Sequence, residues 1–293
     1  MKKAKEIVVI SGKGGTGKTT ITASLAGIMT DKVIVDADVD AANLYILLRP
    51  QNIRGTDFTG KGLAEIDRDL CVHCGLCKEL CRFFAIEIVD GDYRVDPFSC
   101  DGCGLCKIVC PVQAVTIEEQ VVGKWFSADT EFGAFVYARL IPGAENSGNL
   151  VTMVKEQAKQ KAAAGNIPTI LIDGPPGIGC PVISAVSGAD FALIVTEPTY
   201  SGISDLRRVF DLTAHFGIKS GIVINRCDIN PGNTTAIETF AREKGIPVLA
   251  GIPHSRCIMD EISESRLPAR KCKELSRQIE NIYEHIKTEL LNE

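Results

Sequence analysis

Gly12-Lys13-Gly14-Gly15-Thr16-Gly17-Lys18-Thr19 lies between the apolar run Ile7–Ile10 and a helical pattern over Thr19–Met29, and its reading decides the fold. The stretch satisfies G-x-x-x-x-G-K-[ST] at the junction of a strand and a helix, the setting in which that pattern has a mechanism. Glycines let backbone amides approach phosphate oxygens, and a helix N-terminus favours an anion. Lys18 then reaches the β and γ phosphates, and the Thr19 hydroxyl ligates Mg2+. The segment Gly12–Thr19 together with Thr20 is the candidate nucleotide-binding set.

Outward from this loop, strands and helices alternate. Val33–Val35 reads as a strand and Ala41–Leu48 as a helix. A long helix covers Leu150–Ala164, and strands follow at Thr169–Ile172, Phe191–Val195, Gly221–Ile224 and Val248–Ile252, with helices between them and a closing helix from about Lys271. This order predicts an α/β fold, a mainly parallel sheet with helices on both faces. The alternation stops after Thr59-Gly60-Lys61-Gly62 and resumes near Val121. The chain therefore divides into a discontinuous domain, 1–60 and 119–293, and a small α+β domain inserted at 61–118.

The insertion repeats itself at an offset of 29 residues: Asp67 matches Asp96, Cys71 matches Cys100, Cys81 matches Cys110 and Ala85 matches Ala114. Between them, Gly75-Leu76-Cys77-Lys78 matches Gly104-Leu105-Cys106-Lys107. Each half reads as a strand, a cysteine-bearing loop, a helical turn and a second strand, too little to bury a core alone. Of the chain's 12 cysteines, eight lie here, as Cys71-x2-Cys74-x2-Cys77-x3-Cys81 and Cys100-x2-Cys103-x2-Cys106-x3-Cys110-Pro111. Regular spacing on glycine turns suits metal ligation better than disulfides. Structural zinc is the competing metal, but zinc sites group ligands in pairs, whereas these are triads with a distant fourth. His73 is a further possible donor in the first loop; its counterpart, Gly102, carries no side chain.

The cysteine spacing is similar to that of bacterial two-cluster ferredoxins. That resemblance implies two [4Fe–4S] clusters, one on Cys71, Cys74, Cys77 and Cys110, the other on Cys100, Cys103, Cys106 and Cys81. Arg82 departs from it, since the pattern prefers proline after the fourth cysteine. Lys13, in turn, makes the phosphate loop resemble the deviant Walker A motif of the MinD, ParA, Mrp and nitrogenase iron protein ATPases, a branch of the P-loop NTPases. This second resemblance implies a homodimer with ATP sandwiched between two chains, Lys13 contacting the phosphates bound by the partner, and hydrolysis that requires dimerisation. In Val33–Asp40, Asp38 matches the aspartate that orients the attacking water. In Ile172-Asp173-Gly174-Pro175-Pro176-Gly177, Asp173 would hold Mg2+ through water and Gly177 would sense the γ phosphate. The catalytic candidates are thus Lys13, Lys18 and Asp38. Asn225-Arg226-Cys227-Asp228 resembles both the base-reading N-K-x-D motif of GTPases and the adenine-reading asparagine of MinD-like ATPases. Asn225 contacts the base in either case, and Lys13 favours ATP. Cys180 matches the cluster-binding switch II cysteine of nitrogenase iron protein, without a second cysteine to complete such a bridge. Cys227, Cys257 and Cys272 read as small buried hydrophobes.

The 293 residues are 45% apolar and 24% charged, with net charge -5, enough for one large core plus a small module. An acidic balance gives no reason to expect nucleic acid as a partner. No stretch is apolar enough to span a bilayer, and the closing helix, with Glu and Lys mixed on its polar face, is expected to dock on the sheet rather than on a membrane. A cytoplasmic location follows as the expectation. The parts suggest an ATPase that gates electron transfer to a redox partner. A cofactor-assembly ATPase serving an apo-metalloprotein and an adaptor with structural clusters are the alternatives.

Overall fold

The computed structural model describes residues 3–60, 62–144 and 147–290; Lys61, where the insertion was expected to begin, lies outside them, as do Met1 and Lys2 of the basic start. Two compact units emerge: Met1–Thr56, Trp125–Pro142 and Ser147–Glu293 form the first, and Asp57–Lys124 with Gly143–Asn146 forms the second. By contacts the second unit spans 57–124, a few residues wider at each end than the insertion expected at 61–118.

In chain order the elements are β1 (Lys5–Ser11), α1 (Lys18–Ile28), β2 (Lys32–Asp36), α2 (Leu44–Leu48), β3 (Gln51–Thr59), β4 (Leu63–Ile66), α3 (Leu76–Glu79), β5 (Ile86–Val89), β6 (Asp92–Val95), α4 (Leu105–Val109), β7 (Val115–Glu118), β8 (Val121–Thr130) and β9 (Gly133–Leu140). There follow α5 (Ser147–Gly165), β10 (Thr169–Pro176), α6 (Cys180–Val186), β11 (Phe191–Thr196), α7 (Tyr200–His215), β12 (Lys219–Asn225), α8 (Pro231–Lys244), β13 (Val248–Ile252), α9 (Arg256–Ser263) and α10 (Lys273–Leu290). The first unit is built on a sheet of order β13-β12-β11-β1-β10-β2-β9-β8-β3, parallel at every pairing from β13 to β9. Ile7–Ile10 are wholly buried, as a central strand covered on both faces requires. Their run is apolar without alternation for that reason.

Register fixes the site. Asp173 of β10 stands beside Val9 of β1 and Asp36 of β2, so the phosphate loop and both acidic strand ends meet at the carboxyl edge of the sheet, where open α/β sheets bind ligands. One side chain steadies the segment beyond β10. Lys155 of α5 donates to the carbonyls of Ser184, Ala185 and Ser187 at 3.2, 2.7 and 2.7 Å, capping the C-terminal end of α6. It also pairs with the buried Glu6 at 3.3 Å. Burial lowers the pKa of Lys155, opposed by Glu6.

Three features differ from the sequence expectations. The helix expected over Ala41–Leu48 begins only at Leu44, because Asp36 Oδ2 accepts the backbone N–H groups of Asn43 and Leu44 at 3.1 and 3.0 Å and so caps it there. The strands β3, β8 and β9 extend the sheet where no strand was expected; β3 is exposed along nearly its whole length and carries no apolar alternation to betray it. Cys257 and Cys272 are not separate packed hydrophobes but a disulfide, 2.00 Å between sulfurs, tying α9 to the segment before α10. The closing helix itself buries Leu275, Ile279, Ile282, Ile286 and Leu290 in the core of the first unit. Among the described residues no helix is long and apolar enough to cross a membrane.

The second unit is internally two-fold. β4 pairs antiparallel with β7, and β5 with β6, so each small sheet takes one strand from each half of the repeat. The ties between halves are matched as well. Asp67 N–H donates to Ala114 O at 2.8 Å and Asp96 N–H to Ala85 O at 2.7 Å. Gly75 and Gly104 precede the two short helices at φ 80 and 74, a left-handed turn that glycine adopts without strain.

Candidate functional site

The loop after β1 is held in shape by its surroundings. Gly17 has φ 90, and a Cβ there would collide with the side-chain nitrogen of Asn225, so only glycine closes the turn into α1. Asn225 Nδ2 in turn donates to Thr16 O at 2.7 Å. The asparagine expected at the base thus also braces the phosphate loop. Gly14 and Gly15 are exposed and face open space, which leaves the loop backbone accessible. Thr16 Oγ1 is buried without a partner among the described residues.

Behind the loop, Asp173 is wholly buried and gathers three donors: Lys18 Nζ at 3.2 Å, Thr19 Oγ1 at 2.7 Å and Thr22 Oγ1 at 2.8 Å. Lys18 also stands 3.6 Å from Asp38 Oδ2. Burial acts to lower the Lys18 pKa, but the facing carboxylates of Asp173, Asp38 and Asp36 outweigh it and raise it. The loop lysine is therefore kept cationic. Burial pushes Asp38 up despite Lys18, and burial reinforced by Asp173 pushes Asp36 up to about 8. Thr19 and Asp173 supply adjacent hard oxygen donors of the type Mg2+ takes. Gly177 N–H donates to Ser11 O at 2.8 Å, and Ala37 N–H to Asp173 O at 2.8 Å, so both acidic segments are stitched to the strands beside the loop.

Next to the loop lies a cavity of about 420 Å3, lined by Gly17, Thr20, Asn225, Arg226, Pro253 and Met259 among others. It brings the phosphate loop and Asn225 to one chamber, of a size for a base and sugar. Sequence reasoning missed its outer wall, Pro253–Met259, which carries no motif. Asp228 lies against this wall and accepts the His254 N–H at 2.7 Å.

Lys13 behaves differently from the rest of the loop. Its ammonium turns back to Glu197 Oε1 at 2.7 Å, Ser201 Oγ at 2.9 Å and Thr199 Oγ1 at 3.2 Å of its own chain. Cys180 is exposed at the start of α6.

In the second unit the eight repeat cysteines sort into two pockets. Cys71, Cys74, Cys77 and Cys110 line one, with Tyr93 and Ala114; Cys81, Cys100, Cys103 and Cys106 line the other, with Phe83 and Ala85. Each pocket takes its triad from one half and its fourth thiol from the other. The matched thiols Cys77 and Cys106 are both raised in pKa by burial, against the pull of the N–H groups of Lys78 and Lys107. His73 does not line either pocket; its Nε2 lies 3.5 Å from Asp92 and its ring tilts against Tyr93. Among the described residues no three His, Cys, Asp or Glu side chains are drawn together as the shell of one metal ion.

The family profile of the CobQ/CobB/MinD/ParA nucleotide binding domain matches residues 7–268. An uncharacterised protein of Methanocaldococcus jannaschii is 32% identical over 286 residues, 96% of each chain. The septum site-determining protein MinD of Thermotoga maritima is 25% identical over 296 residues, covering 97% of this chain and 88% of that protein. Among solved structures, Pyrococcus horikoshii MinD complexed with Mg-ADP aligns over 99% of both chains at TM-score 0.58 and 20% identity, a likeness of fold.

Proposed function

The chain belongs to the CobQ/CobB/MinD/ParA nucleotide-binding family as an ATPase of MinD/ParA type, and from that premise we propose that it couples ATP binding and hydrolysis in a nucleotide-sandwich homodimer to electron transfer through two [4Fe–4S] clusters in a ferredoxin-like second unit. One observation carries the second half of this proposal: each pocket of that unit is ringed by three thiols from one half of the repeat and a fourth from the other. Four thiols around each pocket, three from one run and the fourth from the other, are the ligand count and distribution that a two-cluster ferredoxin gives each [4Fe–4S] cluster. When bound, the clusters would supply one-electron chemistry at low potential.

The chain's own residues divide the remaining work. Lys18 and the loop amides would neutralise phosphate charge, Thr19 would ligate Mg2+ with Asp173 holding it through water, and Asp38, beside Lys18, would orient water for attack on the γ phosphate. Asn225 faces the base chamber, which is where adenine would sit. Gly177 N–H, now on Ser11 O, is the donor that a γ phosphate would recruit. Movement of the Asp38 segment has a short covalent route into β3 and on towards Cys71, which is how nucleotide state would reach the clusters.

The test is the EPR spectrum and midpoint potential of anaerobically purified, reduced protein with and without MgATP. A nucleotide-dependent shift in potential or line shape is the expected result. Unchanged [4Fe–4S] signals overturn gating, and iron transfer to an apo-metalloprotein would then mark a cofactor-assembly ATPase, its failure an adaptor.

A further inference from the structure

We infer that Glu197 is a positioning residue for Lys13: it holds the loop lysine inside its own chain, and two chains pair over ATP only as that hold is broken. The inference rests on the sandwich-dimer proposal, because it is there that Lys13 serves a nucleotide bound by the second chain.

Glu197 follows β11 and is largely buried, 9% exposed. Its two carboxylate oxygens face different partners, Oε1 to Lys13 Nζ at 2.7 Å and Oε2 to Arg226 Nη1 at 2.8 Å. An ammonium has three protons to donate. Lys13 uses them on Glu197, Thr199 and Ser201, so in the single chain this lysine is satisfied and turned away from its own phosphate loop. Thr199 is itself fixed, accepting the Gly202 N–H at 3.0 Å as the cap of α7.

The other end of the carboxylate leads to the nucleotide. Arg226 and Asn225 line the base chamber, and Asn225 braces Thr16 O. Glu197 thus bridges the wall of the base chamber and the lysine that must reach outward. When Lys13 leaves, Arg226 keeps the carboxylate from standing unpaired, which makes the release affordable in a half-buried site. A lysine held by three acceptors gives up that hold to reach phosphates, so the hold sets the protein concentration at which pairing begins.

Glu197→Gln preserves shape and replaces the charged contact with a neutral one, worth a factor of about ten in equilibrium. Sedimentation of anaerobic protein in the presence of Mg2+ and AMPPNP reads the result. The variant is expected to pair at about ten-fold lower protein concentration than the wild type, while its dilute monomer keeps its MgADP affinity within about three-fold. A fault in folding would weaken both. Ser201→Ala, which removes one acceptor on the exposed first turn of α7, is expected to shift pairing the same way by a smaller factor, and stands in if the first variant does not fold. Pairing that is unchanged or weaker in both variants, with wild-type pairing intact, overturns the role of Glu197 and leaves the sandwich proposal standing. If neither wild type nor variants pair at any concentration, the sandwich proposal and this inference fall together.

Discussion

In the first unit the strand Ile7–Ile10 and the helix face Leu275, Ile279, Ile282, Ile286 are all 2% exposed or less; in the second, α3 and α4 bury no residue at all. The buried apolar side chains of the second unit are Phe58, Ala64, Ala85, Ile86, Ala114 and Val115, three of them alanines, while Val72, Phe84, Phe98 and Ile108 are left exposed. The first unit is held by a hydrophobic core of the ordinary kind. The second has paired strands, matched turns and cysteines around two pockets, and under the cluster proposal its folding free energy would come in large part from ligation. On the proposed reading, the same chain contains one part that folds by burial and another that folds by ligation.

This contrast is broken or sharpened by perturbing one part and watching the other. The largest effect is expected from removing iron with a chelator under reducing, anaerobic conditions. Amide exchange in residues 63–118 should rise towards that of unfolded chain, while β1, β10 and β11 keep their protection; equal loss in both would mean that the division of labour is wrong. Lys18→Ala comes next. It leaves Asp173, Asp38 and Asp36 facing one another without their cation and should remove measurable nucleotide binding, with the iron content of the second unit untouched. Asp38→Ala is milder: binding persists, hydrolysis slows by about a hundred-fold or more, and the paired state accumulates. Normal turnover in that variant would reassign the water-orienting role.

Much of the first unit was legible because its signals are local or periodic. The phosphate loop announces itself by glycine and lysine at fixed spacing, and β1, β10, β11 and β12 by uninterrupted apolar runs. The repeat was legible for a different reason: eight cysteines at a fixed offset need no knowledge of tertiary structure. What stayed hidden depends on contacts between distant residues. The edge strand β3 and its neighbour β8 pair through backbone groups and carry little apolar pattern. The capping of α2 by Asp36 skips over the loop between them, and the Cys257–Cys272 disulfide depends on α9 folding back against the start of α10. Lys13 is the clearest case. Its place in the motif said that it is special, yet its partner Glu197 lies far along the chain, and only the fold brings the two together.

The central claim is that a MinD/ParA-type ATPase carries two four-iron clusters in its second unit, and counting iron and acid-labile sulfide per chain in anaerobically purified protein tests it most directly. The account predicts about eight of each, falling by about half in Cys103→Ser while nucleotide binding is retained. Zinc in place of iron, or thiols that titrate free with no sulfide present, would contradict it.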